Sequence, residues 1–414
     1  MKKSIAWLKL VEFGARSLLV LLCVYLMPAE EAARFGTVML CVGLFGFLVG
    51  FERYVDFQRR LHSISEVDSG AAIASFTRLV AVGYVLCVPL LYLMLVRFCG
   101  VTQQQALLAV AVAVIEHASQ ECYRVVLVTH RHRRLLVGSA AKTVAVLLAI
   151  MAGGIALRQP LSLDAVLSWW AGIGGAWLLA SLPDLRTIIR AGRAGEPIGL
   201  RTQCLRSRGH FFIGLVALLA VQADRLVAIQ VLGTQELAQY FRAVMTAGAA
   251  YQVLTFISFN RIALDAYRGL QRGEHQAVRK AFRRERVAYA AVLVLVPLGI
   301  EAVRRLCGVP WLEAALPPLS AVAFACGSLL LRGASDFESI VLNHAHRESR
   351  VLVANAVGTC ATLATAIPMG GVFGLQGLLA GSVVGSCVAA LVLWRSALSI
   401  AGANVQVRAK DRLA

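Results

Sequence analysis

Apolar segments of membrane-spanning length recur along the whole of this 414-residue sequence, and no other feature so narrows the folds open to it. They run roughly over 7–27, 37–57, 77–98, 105–128, 137–157, 165–185, 211–232, 237–260, 287–305, 319–342, 351–369 and 374–398. About twenty apolar residues in a helix cross the ~30 Å hydrocarbon core of a bilayer. An all-α polytopic membrane protein with twelve transmembrane helices is therefore predicted. Composition agrees, with 58% hydrophobic and 15% charged residues, where a soluble domain carries about 25% charged.

A net charge of +18 could suit nucleic acid, but the basic residues sit in short connections between apolar segments, so no nucleic-acid partner is expected. Connections on one side carry 26 Lys and Arg, including six in 186–208 and eight in 261–286; the other side carries five, Arg34, Arg97, Arg158, Arg304 and Arg305. Cytoplasmic loops are the basic ones, so both termini are expected in the cytoplasm of a multi-pass protein of the bacterial inner membrane. Lys2 and Lys3 precede an apolar run as in a signal peptide, but Glu12 and Arg16 interrupt it and no small-residue cleavage site follows, so an uncleaved first helix is expected. Cys23, Cys41, Cys87, Cys326, Cys360 and Cys387 fall inside spans as small packing residues. Cys99 and Cys307 lie near the outer face, where they could be bridged. No connection is long enough for a catalytic domain and no phosphate-cradling glycine loop is present. The chain reads as a non-enzyme without a cofactor.

Two stretches echo each other at an offset of 205 residues: EAARFGTV, Glu31 to Val38, and ELAQYFRA, Glu236 to Ala243. Each has a glutamate, an alanine two residues on and an aromatic four on, and each leads into a span. A six-plus-six duplication follows. Its lobes are 1–190 and 210–400, with a basic cytoplasmic linker at 191–209 that holds Gly192, Gly195, Pro197 and Gly199, and a cytoplasmic tail at 401–414. Even-numbered halves both start inside, so the pseudo-two-fold would run along the membrane normal.

ADRLVAIQVLGTQELAQYFRA (223–243), MPAEEAARFG (27–36) and GGVFGLQGLLAGSVVG (370–385) resemble segments of polysaccharide flippases. These are the Wzx-type O-antigen and capsule translocases of the multidrug/oligosaccharidyl-lipid/polysaccharide exporter superfamily. Ala238 stands where that family often has glycine, and the first half lacks a counterpart of Asp224–Arg225. The resemblance implies the exporter-superfamily fold and alternating-access flipping of a polyprenyl-diphosphate-linked oligosaccharide, for O-antigen, capsule or exopolysaccharide assembly. It further implies H+ or Na+ as coupling ion and glycan polymerases as partners.

Charge inside the spans is patterned. Turning about 100° per residue from Glu116 puts Gln120 at ~40°, Arg124 at ~80°, His117 at ~100° and Glu121 at ~140°, one polar stripe on one helix. From Arg332, Asp336 lies at ~40°, Asn343 at ~20°, Ser339 at ~340° and Ser335 at ~300°, a second stripe in the other half, with Glu338 off it at ~240°. Lys9, Glu12 and Arg16 share a face of the first span, and Asp224–Arg225 sit in the seventh. A mid-membrane charge costs ~2.5–3.5 kcal/mol on insertion scales and so usually faces a cavity or a partner. A central cleft between the lobes would satisfy all four helices.

In that reading Arg16, Arg124, Arg225 and Arg332 bind the cargo's phosphates, since a guanidinium pairs bidentately with phosphate. Glu116, His117, Glu121, Asp224 and Asp336 are then the ion-coupling candidates. Other readings stand beside it. Glu12–Arg16, Glu121–Arg124 and Arg332–Asp336 have the spacing of self-neutralising intrahelical pairs. His117–Glu121 has the spacing of two metal ligands, with no further His or Cys cluster to complete a site. Lys142, Glu52 and Arg53 would snorkel to the interface, Gly377, Gly381 and Gly385 would form a packing ridge, and Pro89 and Pro297 would kink their helices. The basic loop 261–286 would draw anionic membrane lipids. For function, a cation-coupled multidrug exporter of the same superfamily and a membrane scaffold for glycan-assembly enzymes are the alternatives.

Overall fold

The computed structural model describes residues 2–50, 66–129, 133–156, 160–191, 199–258, 262, 264–307, 313, 315–345 and 347–411. Among these residues the regular structure is all helical. In chain order the helices are α1 (Lys2–Leu26), α2 (Ala29–Gly50), α3 (Glu66–Phe98), α4 (Gln103–Thr129), α5 (Arg133–Met151), α6 (Leu163–Ala191), α7 (Leu200–Val231), α8 (Thr234–Ser258), α9 (Leu264–Gln271), α10 (His275–Cys307), α11 (Leu319–His344) and α12 (Glu348–Asp411). A π-helical turn, Ala152–Ala156, extends α5. Glu52, Arg53, Gly192, Gly195, Pro197 and Arg158 lie outside the described residues, as does the side chain of Cys307.

Seven helical stretches are long and apolar enough to cross a membrane: Ala29–Gly50, Ser75–Phe98, Arg134–Gly154, Leu163–Thr187, Phe211–Val231, His275–Leu306 and Glu348–Ser399. Three of the long helices outside that set, α1, α4 and α11, are the ones whose sequence carries polar stripes. α12 supplies two crossings, because the chain reverses at Gly374, where φ is 58°. Its two limbs, 348–373 and 375–411, pack through the glycine ridge read from the sequence. A Cβ added to Gly381 would lie 2.5 Å from Ala366 Cα, and one on Gly385 would lie 1.9 Å from Thr362 Oγ1. Only hydrogen fits between these limbs, so the ridge is packing surface. The helices run through Pro89 and Pro297 without a break.

The internal echo has a structural counterpart. α1 ends at Leu26 and α7 at Val231, and α2 begins at Ala29 and α8 at Thr234, so both turns recur at the offset of the sequence repeat. Ala33 and Phe35 are buried, as are Ala238 and Tyr240. The repeated glutamate also has a task in each half. Glu31 Oε2 accepts the backbone N–H of Leu163 at 2.8 Å, at the start of α6, where a helix leaves unpaired donors. Glu236 lies over Gly374, its Oε1 2.5 Å from where a Cβ would be, at the turn before the last limb.

The chain divides into two compact units, Met1–Leu215 and Val216–Ala414. The first has a core around Ile73, Phe76, Ile115, Val126, Leu135 and Trp177. The second is centred on Tyr240, Phe241, Leu293, Ala325 and Leu378. Gly381→Val should lower the melting temperature of the detergent-solubilised protein, at an overpacking cost of about 1–3 kcal/mol or more. Gly371→Ala, which meets nothing within 4 Å, should leave it unchanged; thermal unfolding followed by a thiol-reactive dye checks both.

Candidate functional site

In the first unit the polar stripe of α4 lines a cavity of about 250 Å³, together with Arg16 from α1 and Met39, Gly43, Gly46 and Gly50 from α2. Glycine matters on the α2 side. A Cβ on Gly46 would already touch the His117 ring at 3.8 Å, and one on Gly50 would lie 3.7 Å from His117 Nε2 and 3.9 Å from Arg124 Nη1. Larger side chains at these positions would fill the space. Glu116, His117, Gln120 and Arg124 all reach the cavity wall, and Glu121 sits behind them in an ion pair with Arg124.

Glu116 is the most heavily engaged of these groups. Its Oε1 accepts hydrogen bonds from Lys142 Nζ on α5 at 2.5 Å and from the indole N–H of Trp170 on α6 at 2.9 Å. Its Oε2 faces Arg16 Nη1 at 3.4 Å. Each donor replaces hydration that the carboxylate loses on burial. Lys142 is 3% exposed and also lies over the Trp177 ring. This corrects the expectation that it snorkels: a carboxylate within reach makes burial cheaper than extension to the interface.

Arg16 corrects a second expectation. The pairing Glu12–Arg16 does not form, because Glu12 is taken by Lys9 at 2.7 Å and by Ser139 Oγ at 2.9 Å, and Arg16 crosses to Glu116 instead. Glu121–Arg124 does form within the helix, at 2.5 Å. His117 Nε2 stands 3.4 Å from the same Glu121 oxygen, and its Nδ1 is 2.8 Å from Tyr84 OH on α3. Among the described residues no group of three or more His, Cys, Asp or Glu side chains assembles as a metal site, at His117–Glu121 or elsewhere. Cys99 approaches Cys41, with the sulfurs 3.5 Å apart.

Among the described residues, the Lys and Arg side chains lining this cavity are Arg16 and Arg124, and the carboxylate lining it is Glu116. Their exposure differs. The Arg16 and Arg124 side chains are each 28% exposed, against 7% for Glu116 and 10% for Glu121. Glu116 joins α4 to neighbouring helices, Glu121 pairs within α4, and Arg16 and Arg124 line the cavity.

The second unit is arranged differently. Arg332 lines two cavities, one of about 210 Å³ with Ser335, Asp336, Ser339, Asn355, Thr362 and Ser386, the other of about 50 Å³ with Asp224, Arg225, Ser328 and Ser382. Arg332 and Asp336 do not form the intrahelical ion pair that their spacing allows; Asp336 instead accepts a hydrogen bond from Tyr251 OH at 2.5 Å. Asp224 accepts from Ser382 Oγ at 3.3 Å, and Arg225 Nε has no hydrogen-bond partner among the described residues. The two cations and two carboxylates are balanced, and hydroxyl groups make up most of the polar lining. Glu338, unplaced by the helical wheel, pairs with Arg286 on α10.

Sequence reasoning missed Lys142, Tyr84, Trp170, Gly46 and Gly50 as parts of the first site. Lys142 was readable as one more charge inside a span. Gly46 and Gly50, one helical turn apart, carried a weaker signal, and nothing marked Tyr84 or Trp170.

The chain is a multi-pass membrane protein with the fold of solved MATE transporter structures. An inward-facing MATE family multidrug resistance transporter of the MOP superfamily superposes with a TM-score of 0.74 at 12% identity, covering 95% of each chain. An outward-facing one gives 0.60 at 15% identity, covering 96% of this chain and 95% of that one. A mutant of the Vibrio cholerae MATE transporter VcmN gives 0.62 at 15% identity, covering 96% and 97%. At such identities the likeness establishes the fold alone. No protein-family model matches the sequence, and no curated protein matches it.

Lys142→Met should destabilise the protein strongly, by about 3–5 kcal/mol, because it strips a buried carboxylate of a partner. The double variant Glu116→Gln/Lys142→Met should recover part of that loss. A melting temperature unchanged in Lys142→Met would contradict the network.

Proposed function

We propose that the protein is an alternating-access exporter of the bacterial inner membrane, with both termini cytoplasmic, and that its cargo is an amphiphile with an anionic head group. The observation that supports the cargo class is that Arg16 and Arg124 line the first cavity and are each more exposed than the carboxylate they pair with. Guanidinium groups bind phosphate oxygens with paired, charge-assisted hydrogen bonds. A polyprenyl-diphosphate-linked oligosaccharide fits this chemistry: its diphosphate meets the arginines and its tail stays in lipid. Arg225 and Arg332 are assigned to the same cargo. Glu116, His117, Glu121, Asp224 and Asp336 are the candidates for coupling to H+ or Na+, and glycan polymerases are the partners such a cargo implies.

A second reading is cation-coupled multidrug export, and the names of the structural neighbours stand nearer to it than to glycan flipping. What supports the glycan reading beside it is that Arg16 and Arg124 line the first cavity, whereas a cavity for cationic drugs calls for unengaged carboxylate.

Deletion of the gene in its native host separates the readings. The glycan reading expects loss of surface polysaccharide and accumulation of a lipid-linked sugar on the cytoplasmic leaflet, with Arg16→Gln and Arg124→Gln each failing to restore display despite normal membrane levels. Gly46→Leu, which fills the cavity, should fail likewise. Intact polysaccharide together with new sensitivity to cationic drugs would establish the multidrug reading instead.

A further inference from the structure

One face of α10 changes character along its length. Starting at Arg279 and turning about 100° per residue, Arg283 falls at ~40°, Lys280 at ~100° and Arg284 at ~140°. Val294 at ~60°, Val287 at ~80°, Leu298 at ~100° and Leu295 at ~160° occupy the same arc. All eight are exposed, Val287 at 63%, Val294 at 57%, Leu295 at 62% and Leu298 at 57%. The buried face is the opposite one, made of Val278, Phe282, Glu285, Tyr289 and Leu293. Four cations are therefore followed, on the outward face of a single helix, by four aliphatic side chains.

The spacing matches a bilayer. From Arg286, the last cation of the basic segment, to Arg304, the next on the helix, the rise is about 27 Å at 1.5 Å per residue, close to the ~30 Å of the hydrocarbon core. Arg304 and Arg305 are held by Glu301 at 3.2 and 2.7 Å. On the neighbouring helix and turn, Arg268 and Arg272 face Asp265 and Glu274 at 3.8 and 3.6 Å. Arg279, Lys280, Arg283 and Arg284 differ in that none makes an ion pair with a described residue. Glu285, the adjacent carboxylate, points inward to Ser258 at 2.6 Å, and Glu338 is occupied by Arg286.

We infer that Arg279, Lys280, Arg283 and Arg284 form a binding surface for anionic phospholipid, with the phosphodiester head group on the basic turn and the acyl chains along Val287, Val294, Leu295 and Leu298. The occupant is a bilayer lipid. A soluble anion would use the cations and leave the aliphatic strip idle, whereas a lipid uses both halves of the face. Each cation near a membrane surface favours anionic lipid by about 1 kcal/mol, roughly fivefold in partitioning. This surface is separate from the cavities assigned to cargo and does not depend on the cargo's identity.

The test is native mass spectrometry of the full-length protein released from vesicles of equal phosphatidylglycerol and phosphatidylcholine. Retained adducts should favour phosphatidylglycerol in the wild-type protein. The quadruple variant Arg279→Gln/Lys280→Gln/Arg283→Gln/Arg284→Gln should lose that preference, and the variant with lysine at 279, 283 and 284 should keep most of it, which guards against a merely misfolded protein. Equal preference in the quadruple glutamine variant would overturn the proposal. So would displacement of the adduct by millimolar inorganic phosphate, which would make the site one for soluble anions.

Discussion

A single buried carboxylate, Glu116, holds the first unit together at membrane depth. Its two oxygens collect Arg16 from α1, Lys142 from α5 and Trp170 from α6, so four helices meet at one charge on α4. Each of these groups alone would be expensive in hydrocarbon. Together they replace one another's hydration, and the geometry of the cavity is set by where they meet. Arg16, Glu116 and Arg124 all border the cavity, with the two arginines more exposed than the carboxylate.

The two units solve the problem of polarity inside a membrane in different ways. The first concentrates ions beside a glycine-lined helix. The second keeps its ions few and balanced and uses hydroxyl groups, several of which bond their own helix, as Ser335 does with the Leu331 carbonyl at 2.9 Å and Ser339 with that of Ser335 at 3.0 Å. Hydroxyls satisfied in this way add polarity without a desolvated charge.

Much of this was legible in the sequence, because a membrane imposes strict rules. The spans follow from apolar length, and the turns after Leu26 and Val231 recur where the EAARFG and ELAQYF echo places them. Glu116, His117, Gln120 and Arg124 of the α4 stripe line a cavity within the first unit, and the Gly377–Gly381–Gly385 ridge packs as its spacing implied. What could not be read was partner choice across helices. Glu12 and Arg16 have ideal intrahelical spacing, yet each prefers another partner, because three-dimensional neighbours compete with the local one and only a fold reveals them. Lys142 failed for the same reason: its depth looked avoidable until Glu116 was found opposite. The capping task of Glu31 at Leu163, 132 residues away, was likewise beyond any local pattern.

The central claim is that the first cavity receives an anionic head group on Arg16 and Arg124. Equilibrium binding of a short-chain polyprenyl diphosphate to the purified protein tests it most directly, with a lipophilic cation as the comparison ligand. The account predicts saturable binding of the diphosphate, at least about tenfold weaker in Arg16→Gln or Arg124→Gln, as expected for loss of a charge-assisted hydrogen bond, and no matching effect on the cation. Tight binding of the cation with no measurable affinity for the diphosphate would contradict it.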